Sequence, residues 1–367
     1  MSGIYIHIPF CHSKCFYCDF YSTPKLFDPM GYAEALKREF HLRHNEIDMP
    51  PGTIYLGGGT PSIFPEKALQ AIFDFLPLEH AEEMTIEVNP EDVTDRFARF
   101  LADSPVNRVS MGVQTMNDQE LKAIGRRHSS YDTSKAIERL RHAGINNLSL
   151  DLIYGLPGQT IESWKQSLTS VLNLRPEHLS AYSLMLEPGT RLWAMKQAGR
   201  LPEVAEEDGE QMYVMLCEMT RESGFNHYEI SNYSIPGFHS RHNSSYWDLT
   251  PYLGLGASAH SYDGSLRRAN PSNLRDYLSA DKSKVIIEDL TLDERIDEYL
   301  LIRLRTAEGL DMNRFRTMFG EKRAVIIKNK AEKHISHGML ESIGEKLIIP
   351  ESKWLLTDSV LVDLFQS

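Results

Sequence analysis

Apolar residues in the first half of the chain fall into short runs separated by longer stretches of helical spacing. The runs at 3–9, 53–56, 84–88, 108–113, 147–153 and 179–186 are short, rich in β-branched residues and bounded by turn formers, which predicts strands. Between them, 30–47, 66–76, 94–101, 133–143 and 162–174 repeat apolar residues every three or four positions, which predicts amphipathic helices. Gly144 stands where one helix should stop, and Thr160 or Ser163 where another should start. Six βα units in succession predict an α/β fold, a parallel sheet arranged as a partial or full βα barrel.

The polar residues with chemical potential sit at the ends of these runs. A cysteine-bearing loop follows the first, and Gly57-Gly58-Gly59-Thr60-Pro61 follows the second. Glu87 closes the third, Gln114 the fourth, Asp151 lies late in the fifth, and Leu184-Met185 end the sixth. In βα barrels the active site gathers at that end of the strands, so the placement supports the barrel.

Beyond about residue 190 the pattern loosens. A helix is predicted over 206–224, its apolar face carrying Met212, Met215, Leu216 and Met219, and 226–248 reads as a loop rich in His, Asn, Tyr and Ser. The last part reads as helices at 294–306, 312–319 and 324–337, then a strand pair at 347–349 and 354–356, an order that is winged-helix-like. Three regions are expected: a barrel core at 1–190, an extension at 191–285 and a smaller helical C-terminal domain at 286–367.

Composition narrows the class. Of 367 residues, 41% are apolar and 25% charged, the balance of a globular protein. A formal charge of −12 disfavours a broad nucleic-acid surface, which needs clustered Lys and Arg, so no nucleic-acid partner is expected even for the winged-helix-like part. No run approaches the roughly 20 apolar residues of a membrane span. The first residues lack the basic region and small-residue cleavage site of a signal peptide, which predicts a cytoplasmic protein with reduced thiols.

Three of the four cysteines, Cys11, Cys15 and Cys18, stand together as C-x3-C-x2-C. They are too close, and odd in number, for a disulfide framework, and read as metal ligands. Three thiolates of one loop can hold three irons of a [4Fe-4S] cube and leave the fourth open. Phe10, Phe16, Tyr17 and Phe20 can shield it from water. The rival is zinc, with His7 or His12 as fourth ligand, although structural zinc sites usually draw a second, distant ligand pair. Cys217, mid-helix among methionines, reads as core.

The cysteine motif resembles that of the radical SAM superfamily. Further motifs are similar to the branch holding oxygen-independent coproporphyrinogen III dehydrogenase (HemN) and the HemW-type heme chaperones: Ile8-Pro9-Phe10-Cys11, Gly57 to Pro61, Ile86-Glu87-Val88-Asn89-Pro90, Gly112-Val113-Gln114, Gly125-Arg126-Arg127-His128, Asp151 to Pro157, Glu187-Pro188-Gly189-Thr190 and Gly254-Leu255-Gly256. The resemblance covers nearly the whole chain. It implies S-adenosylmethionine (SAM) chelated on the open iron through its amino and carboxylate groups. It further implies that Tyr5, Tyr17, Gly58, Gly59, Thr60, Glu87, Gln114, Arg126 and Asp151 match the family's SAM-contacting positions. The glycines allow close backbone approach, and without a following Gly-Lys-Ser/Thr they do not make a phosphate loop. Met185 is a weaker pocket candidate.

Two departures separate the branches. The dehydrogenases carry another cysteine two residues after the third ligand, where this sequence has Phe20. They also have a segment ahead of the first strand that helps enclose the porphyrinogen. The sequence His242-Asn243-Ser244-Ser245-Tyr246-Trp247 matches H-N-x-x-Y-W, the pattern associated with HemW-type heme chaperones. A neutral imidazole can ligate heme iron, which makes His242 the candidate ligand, with Tyr246 and Trp247 packing on the porphyrin. On residue types alone, the segment reads rather as a loop whose His and Asn make local hydrogen bonds while the aromatics anchor it; the family match turns the reading to heme. The implied function is a heme chaperone carrying a [4Fe-4S] cluster and SAM. Its implied partners are heme, acceptor hemoproteins such as respiratory-chain proteins, and an electron donor of flavodoxin or ferredoxin type, with a cluster-dependent homodimer as a further implication. Oxidative decarboxylation of coproporphyrinogen III stays open as the alternative.

Overall fold

The computed structural model describes residues 2–24, 28–279 and 284–366. Along the first strand, β1 (Gly3–Ile8), Ile4, Ile6 and Ile8 are fully buried on one face, and Gly3, Tyr5 and His7 point to the other. The same alternation recurs in β2 (Thr53–Gly58), β3 (Glu83–Val88), β4 (Arg108–Gln114), β5 (Leu148–Tyr154) and β6 (His178–Ser183). In β5, Leu148, Leu150 and Leu152 lie in the apolar core while Ser149 and Asp151 face away from it. One face is thus apolar and covered by helices, and the opposite face is lined by polar and aromatic side chains.

Strands β1 to β6 lie side by side in chain order, each parallel to the next. Closure does not follow. Beyond β6 the sheet continues into an antiparallel hairpin, β7 (Asn226–Glu229) and β8 (Asn232–Ser234). Beyond β1 it continues through β9 (Tyr252–Leu255), β10 (His260–Tyr262), β11 (Arg267–Ala269) and β12 (Ile286–Glu288). The result is a twelve-stranded mixed sheet with six parallel βα strands at its centre, the open form of the predicted barrel.

Two expectations are corrected. The segment 226–248, read as a loop, holds the β7–β8 hairpin and the helix Arg241–Trp247. Its residue types hid this, because Asn232, Ser234, Ser240 and His242 are polar yet buried. In the C-terminal part, helices Leu292–Arg303, Met312–Phe319 and Glu321–Ser336 match their predicted positions. The strand pair does not. A second sheet in the order β13 (Leu310–Asp311), β15 (Lys346–Ile348), β14 (Glu341–Ile343) takes its hairpin from the Gly344-Glu345 turn, whereas Glu351–Leu356 forms a 3-10 helix. Gly344 supplies the left-handed backbone that the turn requires, and Trp354 folds back to donate its indole N–H to the Ile349 carbonyl at 2.8 Å. The expected boundary near 285 adjoins 280–283, outside the described residues. Among the described residues, no helix is long and apolar enough to cross a membrane.

Helix Ile161–Asn173 begins at a capping box formed by Thr160 and Ser163, as its sequence implied. Its Trp164 is fully buried and donates to the Met212 carbonyl at 2.9 Å, joining this helix to Glu206–Glu222. Trp164→Ala leaves a large cavity and removes this bond between the two helices. The expected cost is about 3–5 kcal/mol in urea denaturation; a change below about 1 kcal/mol would show that the two helices do not depend on it.

Candidate functional site

Because the six central strands are parallel, the loops after their C-terminal ends converge. Gly59 N–H donates to the Ile8 carbonyl at 2.9 Å, bringing the turn after β2 against the start of the cysteine loop. A Cβ on Gly59 would stand 2.7 Å from the Phe10 carbonyl oxygen, and one on Gly58, at φ 108°, would meet the His7 ring at 2.5 Å. Only glycine permits this approach.

The cysteine loop is clamped from the other side as well. Phe16 N–H donates to the Ile124 carbonyl at 2.9 Å, and its carbonyl accepts from Leu192 N–H at 2.9 Å. The Phe16 ring lies flat where Gly125 has no side chain, with the Arg191 guanidinium 3.8 Å from its centroid. Phe16 and Tyr17 pack against a small apolar cluster of Ile124, Ile153, Leu156 and Leu192. The other two aromatics do not shield the loop. Phe10 belongs to the main core, stacked on Phe64 at 5.6 Å, and Phe20 is 63% exposed.

Cys11, Cys15 and Cys18 are free and half-buried. Thr60 Oγ1 donates to Cys11 Sγ at 3.3 Å, and Arg126 Nη1 donates to Cys15 Sγ at 3.5 Å. Asn89 connects these two donors, giving its Nδ2–H to Thr60 Oγ1 at 3.2 Å and accepting from Arg126 Nη2 at 3.1 Å. Arg126 also donates to the Gly112 carbonyl. Burial pushes the Cys11 thiol up and the Cys18 thiol to about 11, so ionising them calls for a positive partner.

The donor set fits a cluster rather than a single ion. Tetrahedral zinc would hold its sulfurs within roughly 3.8 Å of one another, from Zn–S bonds of about 2.3 Å. Among the described residues, the loop thiols form no set of three ligand atoms within 4.8 Å, with each other or with His, Asp or Glu. Neither candidate fourth ligand faces them. His12 Nε2 pairs with Asp92 at 3.1 Å, and His7 bonds Tyr5 Oη and the Tyr21 carbonyl, each at 3.1 Å.

Around this network lie most of the other sequence-derived candidates. Tyr17 neighbours Cys15 and Arg126. Gln114 sits at a bulge between β4 and β5, in the left-handed region at φ 66°, and its amide and the Arg126 guanidinium converge on the Gly112 backbone. Glu87 accepts from Tyr55 Oη at 2.8 Å and from Gly58 N–H at 3.1 Å, and burial still raises its carboxyl to about 7. Asp151 accepts from Ser110 Oγ at 3.1 Å and is raised by burial to about 6, Arg108 and Ser110 offsetting part of the effect. Tyr5 lies deeper, stacked on Tyr55 at 6.1 Å. Met185 is 69% exposed. The sequence reading passed over Asn89 and Tyr55 as site residues, although Asn89 stands in the same strand-end motif as Glu87.

His242 departs from its expected setting. The helix Arg241–Trp247 plugs the opposite end of the strands, where its first N–H groups donate to Glu83 at the start of β3. His242 is 1% exposed, its Nδ1 at 2.9 Å from Thr53 Oγ1 and its Nε2 at 2.9 Å from Tyr246 Oη, and its ring stacks on Tyr55 at 5.1 Å. Burial pushes its pKa down to about 3, with Arg108 lowering it further. The imidazole is neutral, as an iron ligand must be, but neither nitrogen is free in this conformation.

Parallel βα strands with three thiols on the first loop and acidic, amide and guanidinium groups at the later strand ends define the radical SAM class of protein. Residues 5–171 match the model of the Radical SAM superfamily. The chain is 39% identical to the heme chaperone HemW of Lactococcus lactis, over 95% of this chain and 90% of that protein. It is 30% identical to the HemW of Escherichia coli, over 98% and 97%. The fold is similar to that of the E. coli coproporphyrinogen III oxidase HemN, a radical SAM enzyme, with a TM-score of 0.83 and 21% identity over 100% of this chain and 90% of that one. This chain belongs to the HemW heme chaperone family.

The two raised carboxyls carry a pH signature. Each holds its proton in the fold to higher pH than in the unfolded chain, where the ordinary values are 4.5 for Glu87 and 3.8 for Asp151. At these two groups the native state therefore binds more protons between about pH 4 and pH 7, and their contribution to stability falls as pH rises through that window. Buried His7 and His242, lowered to about 4 and 3, act in the opposite sense over the same range, so the decline contributed by the carboxyls is read by comparing wild type with Glu87→Gln in urea denaturation of the cofactor-free chain at pH 5 and pH 8. Glu87→Gln should flatten it by on the order of 1–3 kcal/mol; equal slopes in the two proteins would refute the assignment.

Proposed function

We propose that this chain is a heme chaperone that binds heme and passes it to acceptor hemoproteins, carrying a [4Fe-4S] cluster and SAM. The observation that carries the reading is full-length identity to HemW proteins, which continues past the radical SAM region into the extension and the C-terminal part. Cys11, Cys15 and Cys18 are the proposed cluster ligands. Tyr5, Tyr17, Gly58, Gly59, Thr60, Glu87, Gln114, Arg126 and Asp151 are the proposed SAM pocket. When bound, the cluster supplies one-electron chemistry and an iron on which SAM can chelate.

The remaining roles belong to the chain itself. The hydroxyl of Thr60 and the guanidinium of Arg126 stabilise thiolates by donating to sulfur. Glu87 and Asp151 can accept hydrogen bonds from an ammonium group or from ribose hydroxyls, and a cationic ligand favours their ionised form. Phe16 and Tyr17 keep water from one side of the loop. A cytoplasmic setting, a flavodoxin- or ferredoxin-type electron donor and a cluster-dependent homodimer belong to the same proposal.

His242 is the proposed heme ligand, and its seat sets a condition. Ligation requires the helix Arg241–Trp247 to shift, releasing the bond to Tyr246. Trp247 and His239 border a groove of about 320 Å³ beside that helix, space into which a porphyrin edge could enter as it moves.

Anaerobically reconstituted protein titrated with heme should shift the Soret band and then yield holoprotein from an added apo-hemoprotein. Incubation with coproporphyrinogen III, SAM and a reductant should leave the porphyrinogen unchanged. No Soret shift together with protoporphyrinogen formation would overturn the chaperone reading in favour of the dehydrogenase. His242→Ala should abolish the axial-ligand signature of the heme spectrum; an unaltered spectrum would remove His242 from the proposal.

A further inference from the structure

A second set of ligand atoms converges far from the cysteine loop in the sequence. Cys217 comes from helix Glu206–Glu222, His227 from β7, and Glu351 from the start of the 3-10 helix Glu351–Leu356. Cys217 Sγ lies 3.8 Å from His227 Nδ1, which lies 2.8 Å from Glu351 Oε1, and the three atoms are all within 4.8 Å of one another. Around tetrahedral zinc, bond lengths of about 2.3 Å to sulfur and 2.0–2.1 Å to nitrogen and oxygen place S and N roughly 3.5 Å apart and N and O roughly 3.3 Å apart. The observed spacings differ from these by about half an ångström or less.

An ordinary His–Glu pair bracing two parts of the fold is the simpler account, and three features go beyond it. First, the imidazole is held in one orientation, stacked on Tyr233 at 4.0 Å with the Trp354 ring edge-on at 4.2 Å. Its Nε2 faces the Ile230 carbonyl at 3.4 Å. A proton on Nε2 donated there leaves the Nδ1 lone pair facing a carboxylate oxygen, an acceptor against an acceptor unless a proton or cation lies between them. Metal-bound histidines commonly have their second nitrogen fixed in this way.

Second, the other two ligands also have supporting contacts. Tyr233 Oη lies 3.6 Å from Cys217 Sγ, and Arg221 Nη1 lies 3.6 Å from Glu351 Oε2, leaving Oε1 for the convergent position. Third, a cavity of about 390 Å³ opens onto all three residues, so a solvent molecule or small ligand can reach a fourth position. Three protein ligands and one open place is the pattern of reactive rather than purely structural zinc sites.

We propose that Cys217, His227 and Glu351 bind a divalent transition-metal ion of zinc type, with the fourth position open to the cavity. The mixed sulfur, nitrogen and oxygen set favours zinc, cobalt or nickel over magnesium or calcium. The ion ties the C-terminal part, through Glu351, to the helix and hairpin that extend the sheet beyond β6. Burial pushes the Cys217 thiol up, so binding displaces a proton and tightens as pH rises. The site is independent of the heme reading, and either can fail without the other.

The test uses reconstituted holoprotein, washed with chelator, loaded with zinc and desalted. One zinc per chain is expected, and zinc-edge X-ray absorption should give one sulfur neighbour at about 2.3 Å with nitrogen and oxygen at about 2.0 Å. Cys217→Ser and Glu351→Gln should each lower zinc retention at least tenfold while iron and sulfide content stay unchanged. Zinc retained equally by both variants, or no zinc retained by the wild type, overturns the proposal. Should a variant lose iron as well, the wild-type spectrum decides: a single sulfur neighbour supports the site, and two or three overturn it by assigning the zinc to the cysteine loop.

Discussion

Strands that all run in one direction deliver all their outgoing loops to one edge of the sheet, and this constraint organises the molecule. The cysteine loop, the glycine turn after β2, the Glu87–Asn89 segment after β3 and the Arg126 turn beyond β4 meet there because β1 to β4 are parallel neighbours. The meeting is fixed by hydrogen bonds between loops: Gly59 to Ile8, Asn89 to Thr60, Arg126 to Asn89. Arg126 matters most, since one guanidinium reaches a thiol of the cysteine loop, an amide of the segment after β3 and a backbone carbonyl of β4. Preorganisation of this kind holds the thiols near their working positions before any ligand arrives.

The opposite end is closed by different means. The helix Arg241–Trp247 rests its first turn on Glu83 and inserts His242 against Thr53 and Tyr55. The motif linked to heme is thereby built into the polar interior, joined by stacked aromatic rings to the same Tyr55 that bonds Glu87. His242 at one end and Glu87 at the other share Tyr55 as a neighbour.

Much of this was legible in the sequence. Alternation within short runs placed β1 to β6, and chemistry at the strand ends marked Glu87, Gln114 and Asp151 because βα folds collect function there. The thiol spacing identified the loop. What escaped was long-range or masked by polarity. Asn89 looks like a turn residue until Arg126, 37 positions later, is seen to bond it. The 226–248 segment reads as loop because its buried positions are Asn, Ser and His, whose burial depends on partners that no local pattern reveals. Cys217 read as core and is buried there, but its neighbours His227 and Glu351 come from elements 10 and 134 residues away. Phe20, taken as a shield on composition, faces solvent.

The central claim is that three thiols of one loop hold a cube of iron and sulfide with one iron left for SAM. Mössbauer spectroscopy of the anaerobically reconstituted chain, with and without SAM, tests it most directly. About four irons and four sulfides per chain are expected, with SAM altering the signal of one iron site and leaving the others in place. Iron without sulfide, zinc in its place, or spectra identical with and without SAM would contradict the account.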